Sequence, residues 1–125
     1  MGGSKLDKKI DYLKGAAKKW PGATVAYRSD WDCEYFEIEK KGFCMLGKNN
    51  KGELVMTVKG VPEENELLRE QYPDVTPGYY ANKTHWNSFL LERSSFTDEQ
   101  LAMFLKQSYE LVLSKLPKKI QAKYK

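Results

Sequence analysis

The sequence predicts an α+β domain in which an antiparallel sheet of about five strands is covered by helices, in the order α-β-β-β-β-α-β-α. Three observations carry this prediction: an amphipathic segment near the start, four short runs of β-forming residues with turns between them, and a long apolar stripe of helical period near the end. A length of 125 residues suits one domain. We assign residues 5–117 to it, residues 1–4 to a disordered start and residues 118–125 to a basic C-terminal tail.

The first helix is predicted over residues 5–20, where apolar residues keep helical spacing until Pro21-Gly22 stops the pattern. Four β-rich runs then follow, separated by turn sequences, and predict an antiparallel meander over residues 24–28, 33–39, 42–47 and 53–59. In the fourth run apolar Met56 and Val58 alternate with Thr57 and Lys59. This alternation is expected when helices cover one face of the sheet.

The second helix is predicted over residues 62–72, because Pro62 suits the first helical position and Pro73 ends the segment. Residues 74–84 have no period and predict a loop, and residues 86–91 predict the fifth strand. Thr97 and Gln100 form a capping box ahead of an apolar stripe that reaches Leu116, which predicts the last helix. Residues 118–125 continue either as a disordered tail or as a helical extension.

The charge is distributed unevenly. Six lysines and two aspartates lie in residues 1–27, ten bases and fifteen acids in residues 28–110, and five lysines without an acid in residues 111–125. Two basic ends around an acidic middle favour contact with a polyanion. No apolar run is long enough for a membrane span and the start has no hydrophobic signal core, so we expect a monomeric protein of the cytoplasm.

Nothing in the sequence indicates catalysis, a cofactor or a metal, and we expect no enzyme activity. One histidine and two unclustered cysteines do not make a zinc site. Cys33 lies between Asp32 and Glu34, whose charges oppose thiolate formation, and Cys44 lies in an apolar run typical of a core. Glu37 and Glu39 share one strand face and are expected to be solvated.

The segment 79–89 mixes aromatic side chains with Lys, His and Asn, which suits stacking on a base or holding an anion. The alternative is that its aromatic residues anchor the fifth strand and pave the loop beneath it. Trp31 is interpreted as a packing residue at the edge of a turn. In a meander, Lys59 returns to the end of the sheet that carries Lys40 and Lys41, so these three lysines are predicted to cluster or to form an ordinary solubilising edge.

Several phrases together resemble the MmcQ/YjbR family across about residues 6–120. They are Pro21-Gly22-Ala23, Lys41-Gly42-Phe43, Val58-Lys59-Gly60, the run from Pro62 to Pro73, Pro77-Gly78-Tyr79-Tyr80, Asn82-Lys83-Thr84-His85-Trp86-Asn87 and Ser108-Tyr109-Glu110-Leu111-Val112. The resemblance implies a compact α+β fold similar to frataxin-like (CyaY-like) and double-wing domains, in bacterial cytosolic proteins. It also implies DNA binding, a label that follows fold similarity.

The expected function is therefore nucleic-acid binding through phosphates with little sequence specificity. The expected site residues are Lys40, Lys41, Lys59, Tyr79, Lys83, His85 and Trp86. The alternative is a chaperone-like interaction module in which the exposed sheet face or the basic tail meets an acidic protein.

Overall fold

The computed structural model describes residues 5–78 and 82–124, and its sheet has six antiparallel strands in the order β1-β2-β3-β4-β6-β5. The elements are α1 (Lys5–Ala17), β1 (Ala23–Arg28), β2 (Cys33–Ile38), β3 (Lys41–Lys48), β4 (Leu54–Lys59), α2 (Pro62–Gln71), β5 (Val75–Pro77), β6 (Trp86–Leu90), α3 (Asp98–Ser114), α4 (Lys118–Gln121) and a 3₁₀ turn (Ala122–Tyr124). The α+β class and the antiparallel sheet are confirmed. None of the helices within these ranges has the length and apolar character to cross a membrane.

The sheet has one strand more than the sequence predicts. Residues 74–84 were expected to form a loop without strands, but they contain β5, which pairs with β6. A strand of three residues shows no periodicity, and its Pro77 cannot donate to a ladder. Proline is tolerated there because β5 lies at the edge of the sheet.

One face of the sheet, here called the helix face, carries the core. The row Leu46, Met56 and Phe89 crosses its central strands, and each of these side chains is buried. Helix α3 packs over β2, β3 and β4 and also against α1. The predicted capping box is present at its start, where Thr97 and Gln100 exchange side-chain to backbone hydrogen bonds. Removal of this apolar surface from water is the main stabilising term of the fold.

Ser108 of α3 is inserted into the ladder between β3 and β4. The regular pairing of these strands stops at Cys44 and Val58, next to a register shift where β3 bulges at Phe43. Beyond that point the Ser108 hydroxyl accepts from the Lys59 N–H at 2.8 Å and donates to the Phe43 carbonyl. The side chain is fully buried. It therefore replaces a direct strand-to-strand contact and fixes α3 on the sheet.

The C-terminal segment is helical and packs on the domain. Residues 118–124 form α4 and the 3₁₀ turn, and Ile120 and Tyr124 pack against the core cluster. Gln121 donates to the carbonyls of Ser114 and Leu116, which holds α4 against the end of α3. Of the two alternatives for the tail, the structure shows the helical extension through residue 124.

Substitution Ser108→Ala is expected to destabilise the fold by about 1–3 kcal/mol, because it leaves the Lys59 N–H and the Phe43 carbonyl without their partner. Urea unfolding followed by circular dichroism measures the loss. Ser114→Ala is the matched control, since that hydroxyl is exposed and bonds only within its own helix, and a change within about 0.5 kcal/mol is expected. Equal effects of the two substitutions would show that the bridge of the Ser108 hydroxyl between β3 and β4 does not stabilise the fold.

Candidate nucleic-acid interface

Lys40, Lys41 and Lys59 lie at one end of the sheet, here called the basic end. Lys41 is paired with Ile38 beside the β2–β3 turn, and the pairing of Cys44 with Val58 brings the last residue of β4 to the same end. The three lysines do not share a face. Lys41 stands opposite core residue Ile38, whereas Lys59 stands opposite Trp86 on the other face. They lie around the edge of this end of the sheet and do not form one compact cluster.

The C-terminal segment docks on the β2–β3 turn. The Tyr124 hydroxyl donates to the Glu39 carboxylate, and Lys123 Nζ lies 3.9 Å from the same carboxylate. The hydrogen bond to Glu39 raises the pKa of Tyr124. The Tyr124 ring lies against Gly22, where a Cβ would come within 2.4 Å of the ring and where φ is +76°. Gly22 therefore provides both the turn and the space for the ring.

This docking brings three lysine-bearing segments together at a region here called the basic corner. It combines the end of α1, the β2–β3 turn and the C-terminal segment, and its exposed cations are Lys18, Lys19, Lys40, Lys41, Lys118, Lys119 and Lys123. Within the described residues, the one ion pair that involves these lysines is the long contact between Lys123 and Glu39. The sequence treats the tail and the hairpin as separate groups, whereas the fold joins them.

Helix α2 holds the loop before β6. Arg69 donates through Nε to Asn87 Oδ1 at 2.6 Å and through its other nitrogen to the Lys83 carbonyl. Asn65 donates to the Thr84 carbonyl, and Asn87 donates to the Asn65 carbonyl. Asn65 and Asn87 are buried, and these contacts attach residues 83–84 to α2 and β6.

Within this loop Asn82 makes a local turn, since its Oδ1 accepts from the backbone N–H groups of Thr84 and His85. Lys83 Nζ donates to the Gly78 carbonyl at 3.2 Å, and both Lys83 and His85 remain exposed. Trp86 is half-buried on the face opposite the helices. Tyr79, also expected at the site, lies outside the described residues.

The face opposite the helices carries a groove, here called the groove face. One row of side chains crosses it from β2 to β6 and consists of Tyr35, Met45, Thr57 and Ser88. Thr57 and Ser88 are buried and their hydroxyl oxygens are 2.7 Å apart. Gly42 and Gly47 flank Met45 on β3, and the Tyr35 hydroxyl leans over Gly42, where a Cβ would come within 2.2 Å. A Cβ at Gly42 would clash with Tyr35 and one at Gly47 with Cys33, so the two glycines let these neighbours pack close to β3.

Trp31 stands over the groove from the β1–β2 hairpin and is 50% exposed. Its ring meets Tyr35 edge-on at 5.3 Å, and the Arg28 guanidinium lies 4.4 Å from its centroid. Arg28 also donates twice to Asp30, which lowers the pKa of that carboxyl. The indole is thus held in place by a cation and a second ring. The sequence predicts Trp31 as a packing residue at the edge of a turn, and it does not predict the position of this side chain over the groove.

Two cavities occupy the groove and share Trp31 and Met45. The larger, of about 540 Å³, runs from Asp30 and Asp32 to Thr57. The smaller, of about 290 Å³, lies between Trp31 and Tyr35 on one side and Asn82 and Trp86 on the other. The groove therefore extends from the β1–β2 hairpin to the basic end.

The two thiols lie in surroundings that disfavour the thiolate. Burial raises the pKa of Cys33, and the neighbouring acids Asp30, Glu34 and Asp32 add to this effect. Burial raises the pKa of Cys44 well above its ordinary value, and its side chain is in the core. Among residues 5–78 and 82–124, no three His, Cys, Asp or Glu side chains are placed to hold a metal ion.

The YjbR family profile matches residues 18–111, which include β1 to β6 and most of α3. The chain belongs to the YjbR family. The protein YjbR of Escherichia coli (strain K12) is 33% identical over 97 residues, which are 78% of this chain and 80% of that protein. YbdF of Escherichia coli O157:H7 is 29% identical over 108 residues, 86% of this chain and 87% of that protein.

Solved structures share the fold. The crystal structure of the Deinococcus radiodurans protein DR2400, of the DUF419 domain family, superposes with a TM-score of 0.74 at 26% identity and covers 85% of this chain and 79% of that one. A Pseudomonas syringae protein gives a TM-score of 0.69 at 19% identity, over 81% of this chain and 96% of that one. The YjbR sheet and helix arrangement is thus common to these proteins.

Sequence reasoning missed two parts of the interface. It assigned no site role to Trp31, Tyr35 and Met45, although the glycines on both sides of Met45 mark a strand where a neighbour approaches closely. It also missed Tyr124 and Gly22, because their contact joins the two ends of the chain and follows no local pattern.

Substitution Tyr124→Ala is expected to release the C-terminal segment, since it removes both the ring on Gly22 and the hydrogen bond to Glu39. Amide exchange in residues 118–124, measured by mass spectrometry, should accelerate by about tenfold while the sheet keeps its protection. Tyr12→Ala, which truncates an exposed tyrosine of α1, is the control. Unchanged exchange in residues 118–124 would show that the segment is held by other contacts.

Proposed function

We propose that this YjbR protein binds nucleic acid through phosphate contacts at the basic end, with little sequence specificity and without catalysis. The observation that supports it is the docking of the C-terminal segment on the β2–β3 turn. It brings Lys123 to the turn that carries Lys40 and Lys41, at the end of the helical segment that also carries Lys118 and Lys119. Ordered lysines can hold a fixed geometry against phosphates, which a free tail cannot.

The positions of the acidic residues also bear on where a polyanion would bind. At the basic corner Glu39 is engaged by Tyr124 and Lys123, so part of its charge is compensated within the protein. The opposite end of the sheet carries Asp30 and Asp32 in the β1–β2 hairpin and Glu53 before β4. That end also carries Arg28 paired with Asp30, Arg93 paired with Glu53, and the exposed Lys48 and Lys51, so the attraction for a polyanion rests on the basic corner alone.

Further cations extend the interface toward the groove face. Lys59 is paired with Trp86, and Lys83 and His85 are exposed in the loop that precedes it. The partly buried Arg69 and the buried Asn65 position this loop. The contact surface for phosphates therefore runs from the basic corner across the end of β4 to the start of β6.

The test compares two hairpin variants that remove the same charge from opposite ends of the sheet. Lys40→Gln with Lys41→Gln should weaken binding of a labelled DNA duplex at low salt, and should reduce the slope of log K against log salt by about 2, because each phosphate contact contributes about 0.9. Lys48→Gln with Lys51→Gln, in the β3–β4 hairpin, should leave the slope nearly unchanged. Fluorescence anisotropy measures both.

The outcome also separates nucleic acid from an acidic protein. Phosphate recognition predicts tighter binding to the duplex than to polyglutamate of equal charge, and the same loss in the Lys40/Lys41 variant for duplexes of different sequence. Equal losses in the two hairpin variants, or a preference for polyglutamate, would refute the proposal.

A further inference from the structure

We propose that the groove receives an unpaired nucleobase from a strand whose phosphates lie at the basic end, so that the protein binds single-stranded nucleic acid more tightly than duplex. This inference rests on the proposed function and adds a second contact to it. It is carried by the groove between Trp31 and Trp86, which opens next to Lys59, Lys83 and His85.

The walls of the groove suit a planar ring. The smaller cavity is bounded by three aromatic side chains, those of Trp31, Tyr35 and Trp86, with Met45 between them. Aromatic faces bind any base by stacking and need no base-specific hydrogen bond, which agrees with low sequence specificity. Trp31 is held by Arg28 and Tyr35 while half of its surface remains accessible, so it is a preformed stacking surface.

The charges along the groove indicate at which end of it the phosphates of the strand lie. The end at Asn82 and Trp86 adjoins the cations of the basic end, and the far end is lined by Asp30, which is paired with Arg28, and by Asp32 and Lys48. A neutral base can enter between the aromatic rings, while the phosphates stay with the cations next to the opening at Trp86. The backbone of the strand then stays at the basic end with one base turned into the groove.

Bases in a duplex are paired and stacked on their neighbours and cannot enter the groove. The contact is therefore available only to a single strand, and its removal should change single-strand binding alone. The two contacts can therefore be tested separately, because the lysines bind both forms of nucleic acid and Trp31 binds only the single strand.

The experiment measures the affinity of the full chain for a labelled oligothymidylate and for a labelled duplex of the same length, at one salt concentration. Trp31→Ala should weaken single-strand binding by about 5- to 150-fold, the range that loss of one base stack produces, and should leave duplex binding within about twofold. Trp31→Phe should retain most of the single-strand affinity. Tyr12→Ala removes an exposed aromatic ring from α1 and should change neither.

A thermal unfolding curve for each variant confirms that the fold is retained, as expected for a half-exposed hairpin residue. Unchanged single-strand affinity in Trp31→Ala, or an equal loss for both forms, would refute the binding of a base in the groove. Neither result would argue against phosphate binding by the lysines. If the unsubstituted protein binds neither form, the proposed function and this inference both fail.

Discussion

The inserted hydroxyl of Ser108 is the contact on which the arrangement of this domain depends. It joins α3 to β3 and β4 at the point where the bulge at Phe43 interrupts their ladder. With α3 fixed there, the core lies on the helix face, and Lys59 and Trp86 project from the other one. The position of both candidate contacts, the basic corner and the groove, follows from this one-sided packing.

The two contacts have different physical origins. The basic corner is an electrostatic surface assembled from three chain segments, and its unity depends on the packing of Tyr124 against Gly22. The groove is a shape, bounded by Trp31, Tyr35 and Trp86 around Met45. They meet at the start of β6, where α2 fixes the loop through Arg69 and Asn65. A ligand that carries both phosphate and a planar ring matches this combination.

The sequence predicts those parts that have a local pattern. The capping box at Thr97 is confirmed. The first helix was predicted to reach residue 20 but ends at Ala17, ahead of Pro21-Gly22. The alternation in β4 does not appear as alternating burial, because Val55 and Thr57 are buried on the groove face as Met56 and Val58 are on the helix face. Strand β5 was missed because it has three residues and depends on pairing with β6. The docking of Tyr124 and the groove at Trp31 were missed for a related reason, since both join residues that are distant in the chain or on different strands.

The most direct test of the account is a chemical-shift map of the labelled protein during titration with a short single strand. Binding at the basic corner and in the groove should change the amide signals of Lys40, Lys41 and Lys123 together with the indole N–H signals of Trp31 and Trp86. The amide of Tyr12, the control position on α1, should stay unchanged. Changes confined to the opposite hairpin at residues 48–53, or an unperturbed Trp31 indole at saturation, would contradict the account.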